Sequence, residues 1–482
     1  MGKKVGVVCA TYRNPEHDSL VREYGTISLV EQMLGQDFDG SIKVCIVDSS
    51  PTPHPFFDEL GDNYSDHLLY IHLPSRDQLP EEFKQNFPKA ARFVPDNATL
   101  QQAAQLDVAE RIANRRPVLE GDLKLAQGDF GLSADEWNEL VGKRNAGRTH
   151  IGEFRAASGA ALAPEQQAHA AFWKERLREV RGMARFVPFE KDYPIQTNIL
   201  SQVFGERPSI GMKKNVGVQV LAEKFGKLDA IIFSDDDDHH APDYVRRNVE
   251  ALENAEFARM TRYYTHLFGR KEEPNNWGVF HLDIVKDDND YWVLSAEQEE
   301  KDMYCLGPDG VFTKQIGGKF SRPVTMAWPI LSHEGALHSY SFEAWERSVE
   351  AFGGAVPVSF CEDIIYYRQM KDHFGKSFRD SLVEVPAGSE AFIRIADGRN
   401  ASIIEWSETV DRNSMPAWTS HALRHLNAAV TAGPAARAEG VFRDLARQYA
   451  GTGTMDVGKA LNAQDTVKPG FIMMGYEVVP TF

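Results

Sequence analysis

Residues 228–244 read LDAIIFSDDDDHHAPDY, an apolar run that breaks off at a block of acid, and the fold class follows from that junction. Ala230 to Phe233 is short and wholly apolar, as expected of a strand covered on both faces, and it stops at four consecutive carboxylates, Asp235, Asp236, Asp237 and Asp238. In open α/β sheets the ligand crevice lies outside the carboxyl ends of the strands, where these carboxylates would stand. Adjacent anions repel one another. A run of four against an apolar strand therefore calls for a divalent counter-ion, the other reading being a solvated acidic loop. Carboxylates without thiols select Mg²⁺ or Mn²⁺ over Zn²⁺. Successive residues of an extended segment point in opposite directions, so Asp235 and Asp237 are expected to reach the ligand and metal together.

On the N-terminal side, GMKKNVGVQVLAEKF at 211–225 places Met212, Val216, Val220, Leu221 and Phe225 on one helical face. The chain opens as strand, helix, strand: KKVGVVCA at 3–10, SLVREYGTISLVEQMLGQ at 19–36 and IKVCIVDSS at 42–50. The two strands end in Thr11-Tyr12-Arg13 and Asp48-Ser49-Ser50, and a third, HLLYIHLP, follows at 67–74. From residue 76 to 200 the composition shifts to Ala, Gln, Glu and Arg at helical spacing, which reads as a helical insertion. Within it, residues 143–185 carry nine Lys or Arg against four Glu, a candidate basic patch or the solvated face of an amphipathic helix. Beyond the acidic cluster come hairpin-like runs (NWGVFHLDIV, DYWVLSAE, DMYCLG, GVFTKQIG), then a helix, EDIIYYRQMKDHFG, and a helical segment at 411–482.

Composition bounds the function. Lys and Arg number 53 against 70 Asp and Glu, a net charge of −17, so the molecule as a whole repels polyanions. Cys9, Cys45, Cys305 and Cys361 are scattered, without a zinc or disulfide pattern, which fits a reducing cytoplasm. The first residues read as a strand rather than a secretory signal, Gly6 stands where a myristoylation signal wants Ser or Thr, and no run is long enough to span a membrane. The expected protein is cytoplasmic and unanchored.

The order of strand, Thr-Tyr-Arg-Asn, helix, Val-Asp at a strand end, a Gly-x-x-x-Asn helix and D-x-D-D-x-x-x-P-x-Y resembles the family 2 glycosyltransferases of GT-A fold. The likeness covers residues 1–75 and 205–410, with matches at Thr11, Tyr12, Asp48, Asn215, Asp235, Asp237, Asp238, Pro242, Tyr244 and Glu362-Asp363. It implies an α/β GT-A domain split into 1–75 and 201–410 by the 76–200 insertion and followed by the helical segment. The insertion is then a possible acceptor or partner module. It further implies a nucleoside-diphosphate sugar donor, expected to be a UDP-sugar. Thr11, Tyr12, Arg13, Asp48, Lys214, Asn215, Asp235, Asp236 and Arg394 would hold that donor, and Asp235 and Asp237 would carry Mn²⁺ or Mg²⁺. Asp363, beside Glu362, would be the general base of an inverting displacement. At Arg394-Ile-Ala-Asp-Gly-Arg-Asn400 relatives often show R-x-x-H-G-x-N with a metal-ligating His, and here Asp397 takes its place as third ligand, unless the segment is a surface turn.

The chemistry agrees. Breaking a sugar to diphosphate bond needs the leaving charge stabilised, and the acceptor hydroxyl needs a base. Glu362-Asp363 opens a helix with Asp363, Tyr367, Met370 and Phe374 along one side, although acidic pairs also cap helices for stability alone. The basic stretch of the insertion suits an anionic acceptor such as modified DNA, a glycan or a lipid-linked intermediate. Lys213 is a further candidate to face phosphate. His239 and His240 would line the donor site or merely continue the loop. His333 and His338, five apart, do not make H-E-x-x-H. Trp328, Tyr340 and Trp345 are either acceptor-side aromatics or core. Two rivals stand beside this reading: a sugar-nucleotide nucleotidyltransferase, which wants a Gly-rich loop that CATYRNPEH lacks, and a non-catalytic nucleotide-sugar-binding scaffold.

Overall fold

The computed structural model describes residues 2–13, 26–27, 29–30, 32–54, 57, 66–114, 116, 164–183, 203–236, 238–260, 262–267, 276–281, 284–286, 292–294, 304–306, 312–314, 338–359, 362–383 and 392–396. Asp237, Asp397, His333, Trp328, most of 115–163 and the whole of 411–482 lie outside these.

The main sheet has seven strands. They are β1 (Lys3–Thr11), β2 (Gly40–Asp48), β3 (Leu68–His72), β4 (Ala230–Phe233), β6 (Phe257–Met260), β13 (His338–Ser341) and β14 (Asp380–Val383), in the order β3-β2-β1-β4-β13-β6-β14. Strands β3, β2, β1 and β4 are mutually parallel, and β13 runs antiparallel to both its neighbours. The chain builds β1, β2 and β3 outward in one direction and then places β4 on the other side of β1. The connections thus reverse beside β1, and the crevice of such a sheet opens at that switch point.

Strand residues alternate between two apolar layers. Val8, Cys45, Val47, Ile231 and Phe233 face one core, while Val7, Cys9, Val44, Ile46 and Ile232 face the other. The second layer is closed by Ile27, Leu29, Val30 and Met33 and by helix α6 (Tyr244–Ala251). The first is closed by α5 (Ile210–Phe225), α7 (Phe342–Phe352) and α8 (Glu362–Phe374). Helix α5 is capped by the Ser209 side chain, which accepts from the Met212 amide, and it is buried along eleven consecutive residues, Gly211 to Leu221. A Cβ at Gly211 would overlap the Val356 carbonyl, so only glycine lets the helix approach the 356–358 chain, where its amide donates to Val358 O at 2.9 Å.

The insertion contains α1 (Glu81–Asn86), α2 (Pro88–Ala91), α3 (Asn97–Ala113) and α4 (Pro164–Met183). These four helices account for most of its described residues. It is not a separate module among the described residues: Phe83, Phe93, Leu100, Val108, Trp173 and Leu177 belong to the same apolar core as Val8, Val47 and Met212. Arg76 fastens its two ends together. That buried guanidinium donates to Pro95 O (2.9 Å), Phe204 O (3.0 Å), Asn97 Oδ1 (3.0 Å) and Gly205 O, and desolvation lowers its pKa to about 10.

The hairpin-like region forms β7 (Arg262–Leu267), β8 (Asn276–His281), β9 (Ile284–Lys286), β10 (Trp292–Leu294), β11 (Tyr304–Leu306) and β12 (Phe312–Lys314). A second sheet runs β12-β11-β8-β7-β15-β5, in which β15 (Phe392–Ala396) is parallel to β7 and antiparallel to β5 (His239–His240). Among the described residues no helix is long and apolar enough to cross a membrane.

Candidate active site

Thr11 and Asp48 are the last paired residues of β1 and β2, so their side chains stand at the carboxyl edge of the sheet. Asp48 is fully buried, and both oxygens are engaged. Oδ1 accepts from the Ser50 amide at 2.8 Å and from Ser50 Oγ; Oδ2 accepts from Tyr70 Oη at 2.8 Å and Arg13 Nη2 at 3.2 Å. A carboxylate has about four acceptor positions, and these four bonds use them. Asp48 therefore organises the edge by fixing Arg13, whose Nη2 also donates to Thr52 O at 2.6 Å.

Three of the four aspartates of the cluster are described. Asp235 is half-exposed, whereas Asp236 and Asp238 are buried. Asp236 Oδ2 accepts from Thr11 Oγ1 and, at 3.0 Å, from Thr26 Oγ1, so it joins the end of β1 to the helical residues at 26–34. This oxygen thus serves a cross-link within the protein. The following residues are tethered too: His240 N donates to Gln32 Oε1 at 2.6 Å, and the His240 ring bonds Ser234 Oγ at 2.9 Å and packs edge-on to Tyr244 and Phe392.

Helix α5 brings two buried lysines to this edge, and their environments push them apart. Lys213 Nζ donates to Thr11 O at 2.8 Å and Ser49 Oγ at 3.1 Å. Burial lowers its pKa to about 8, against the attraction of Asp48 and Asp236. Lys214 Nζ pairs with Glu362 Oε1 at 2.8 Å, the side chains being 4% and 11% exposed. Desolvation alone would lower the Lys214 pKa, but the carboxylates of Glu362, Asp235 and Asp363 outweigh it and raise it. One ammonium thus links the exit of β4 to the first turn of α8, where Asp363 is half-buried.

No protein-family model matches this chain, and a search of curated proteins finds no significant match. The site is therefore read from its geometry. Of the expected residues, Thr11, Asp48, Lys214, Asp235, Asp236, Glu362 and Asp363 are gathered at one edge. Asn215 faces away from that edge, and its amide accepts from Ala355 N (2.8 Å) and Trp345 Nε1 (3.3 Å) and donates to Ala355 O (2.7 Å). A Cβ at Gly354, whose φ is 80°, would strike that amide, so Asn215 holds the 353–355 turn. Arg394 lies within β15, next to Ile393, which pairs with His239, so this strand returns the chain to the acidic cluster; Asp397 to Asn400 lie outside the described residues.

Trp345 and Tyr340 are core residues, 2% and 1% exposed, and His338 is buried in β13. Among the described residues the basic side chains of α4 do not form a free patch, and the rest of the 143–185 stretch, with the Arg181 side chain, lies outside them. Arg176 is buried and donates to Phe352 O and, at 2.6 Å, to Ala355 O, while Lys174 and Arg178 pair with Glu110 and Glu175. Among the described residues no three His, Cys, Asp or Glu side chains are grouped to hold a metal ion. Two features escaped the sequence reading: Thr26, a helical hydroxyl with no motif around it, and the Lys214–Glu362 pair, whose partners lie 148 positions apart.

Proposed function

We propose that the chain is a divalent-metal-dependent, inverting glycosyltransferase of GT-A type, moving a sugar from a nucleoside diphosphate, UDP by preference, to an acceptor hydroxyl. The observation that carries this reading is the convergence of Asp235, Glu362 and Asp363 on buried Lys214 at the switch point of the sheet. An acid cluster for the donor and a carboxylate for the acceptor belong on opposite sides of one crevice, and here a shared counter-charge joins them. The hard-oxygen character of the cluster fits Mg²⁺ or Mn²⁺, and half-exposed Asp235 with Asp237 would hold the ion. When bound, such an ion neutralises charge on the leaving diphosphate.

The protein's own part is positional. Asp48 and Arg13 fix the end of β2, Lys213 ties β1 to β2 through Thr11 and Ser49, and Asp363 takes the proton of the attacking hydroxyl from the first turn of α8, where the helix dipole favours its ionised form. An anionic acceptor remains part of the proposal, but α4 does not carry it, since its described cations are paired or buried.

The test is release of UDP from a panel of UDP-sugars with Mn²⁺, with Mg²⁺ and with chelator, beside Asp237→Ala and Asp363→Asn. Metal-dependent release from one sugar, abolished by Asp237→Ala, names the donor. No release from any, together with no thermal stabilisation by UDP and metal, removes the UDP assignment. Tight nucleotide binding without turnover would favour the scaffold reading instead.

A further inference from the structure

Arg207 stands three residues before α5 and is exposed, with its guanidinium carbon 3.9 Å from the centroid of the Tyr12 ring. Tyr12 is the half-buried residue that follows β1 at the carboxyl edge. Among the described residues Arg207 has neither an ion pair nor a hydrogen bond. In a chain with 70 carboxylates and 53 Lys and Arg, a cation left unpaired beside an acidic crevice calls for an explanation. Surface arginines of such a protein find carboxylates readily, as Arg178 and Arg247 do here.

The geometry supplies one. A guanidinium resting on an aromatic ring is held without using its N–H donors, which stay available as a fork suited to phosphate oxygens. Lys213 lies close enough for the two positive charges to oppose one another. Like charges brought together at the end of β1 make a site whose electrostatic cost falls when an anion enters. Resting on the nucleotide-sugar reading, we propose that Arg207 is a further donor-binding residue, its guanidinium presented by Tyr12 to the diphosphate of the nucleotide.

The experiment is titration calorimetry of the full chain with UDP and Mn²⁺, for the wild type, Arg207→Gln and Arg207→Lys, at low and high salt. A charge-assisted contact predicts binding weakened about ten- to a hundredfold in Arg207→Gln, with an intermediate loss in Arg207→Lys. The difference from wild type should shrink as salt rises from roughly 0.05 to 0.5 M, where the Debye length falls severalfold. Thermal melting of the variants without nucleotide should match the wild type, because the side chain is exposed. Wild-type affinity in Arg207→Gln, or a loss independent of salt, overturns the inference and leaves the glycosyltransferase reading standing. A wild type that binds no UDP at all takes down that reading, and this inference with it.

Discussion

Replacing Lys214 by Met tests whether the crevice is organised around one buried positive charge. The Lys214 and Glu362 side chains are 4% and 11% exposed with N to O at 2.8 Å, so surface screening reduces their attraction little. At an effective dielectric of about 20, unit charges about 3 Å apart attract by about 6 kcal/mol, and desolvating the two ions offsets most of that. The net worth of the pair is therefore small, while the cost of leaving the carboxylate behind is large, about 3–5 kcal/mol. Lys214→Met, which keeps the length and apolar bulk of the stem, should lose about 3 kcal/mol in urea unfolding. Asp235 and Asp363 lose the same counter-charge, so donor binding should change as well. Glu362→Gln added to Lys214→Met should recover part of the loss, with a coupling energy of at least about 1.5 kcal/mol. A single-variant cost under about 0.5 kcal/mol, or simple additivity in the double variant, would refute the reasoning.

The neighbouring lysine should behave in the opposite sense. Lys213 has a folded pKa lowered by burial to about 8 from 10.5, so below 8 the native state carries a buried charge at a cost, and between the two values the unfolded state binds the extra proton. Wild-type stability measured relative to Lys213→Met should accordingly rise by about 1.4 kcal/mol per pH unit between about 8 and about 10; a flat difference would contradict the assigned burial. Arg176→Ala removes the guanidinium donor from Phe352 O and leaves Ala355 O with Asn215 alone, and should cost about 2–3 kcal/mol, whereas Arg178→Ala, a surface pair, should cost under about 1 kcal/mol; equal effects would show that α4 is not docked through Arg176. Gly211→Ala forces α5 from the 356–358 chain and should lower the melting temperature together with UDP affinity, because the same helix carries Lys213 and Lys214. An alanine variant that melts like the wild type would mean that the helix can shift.

The parallel half of the sheet was legible because its strands are continuous apolar runs that stop at polar residues, and the acidic cluster because it follows such a run directly. Helix α8 begins at the Glu362-Asp363 pair that marks it in the sequence. Other parts left no local trace. Strand β5 is two residues long and exists only through its partner β15, and β7 lies in a stretch whose composition resembles its surroundings. The periodicity of the insertion showed apolar stripes on its helices but not the surface that covers them, since Phe93 and Trp173 would look the same in a free-standing bundle.

The lysines show why charge is hard to place from sequence. Lys213 and Lys214 stand side by side in a helix and read alike, as candidates to face phosphate; both are buried because α5 is enclosed along its first three turns. What separates them is direction. Lys213 reaches the neutral oxygens of Thr11 and Ser49 and is held as a charge only weakly, while Lys214, one residue on, reaches Glu362 and the fields of Asp235 and Asp363. A donor diphosphate entering beside Lys213 would find a group whose protonation it can itself stabilise, whereas Lys214 is already satisfied by the carboxylates it holds together. On this geometry the first lysine is the one free to respond to an anion and the second is the one that keeps the two acidic walls of the crevice at a fixed separation. Loss of Lys213 should therefore appear mainly in nucleotide affinity, and loss of Lys214 in both affinity and fold stability.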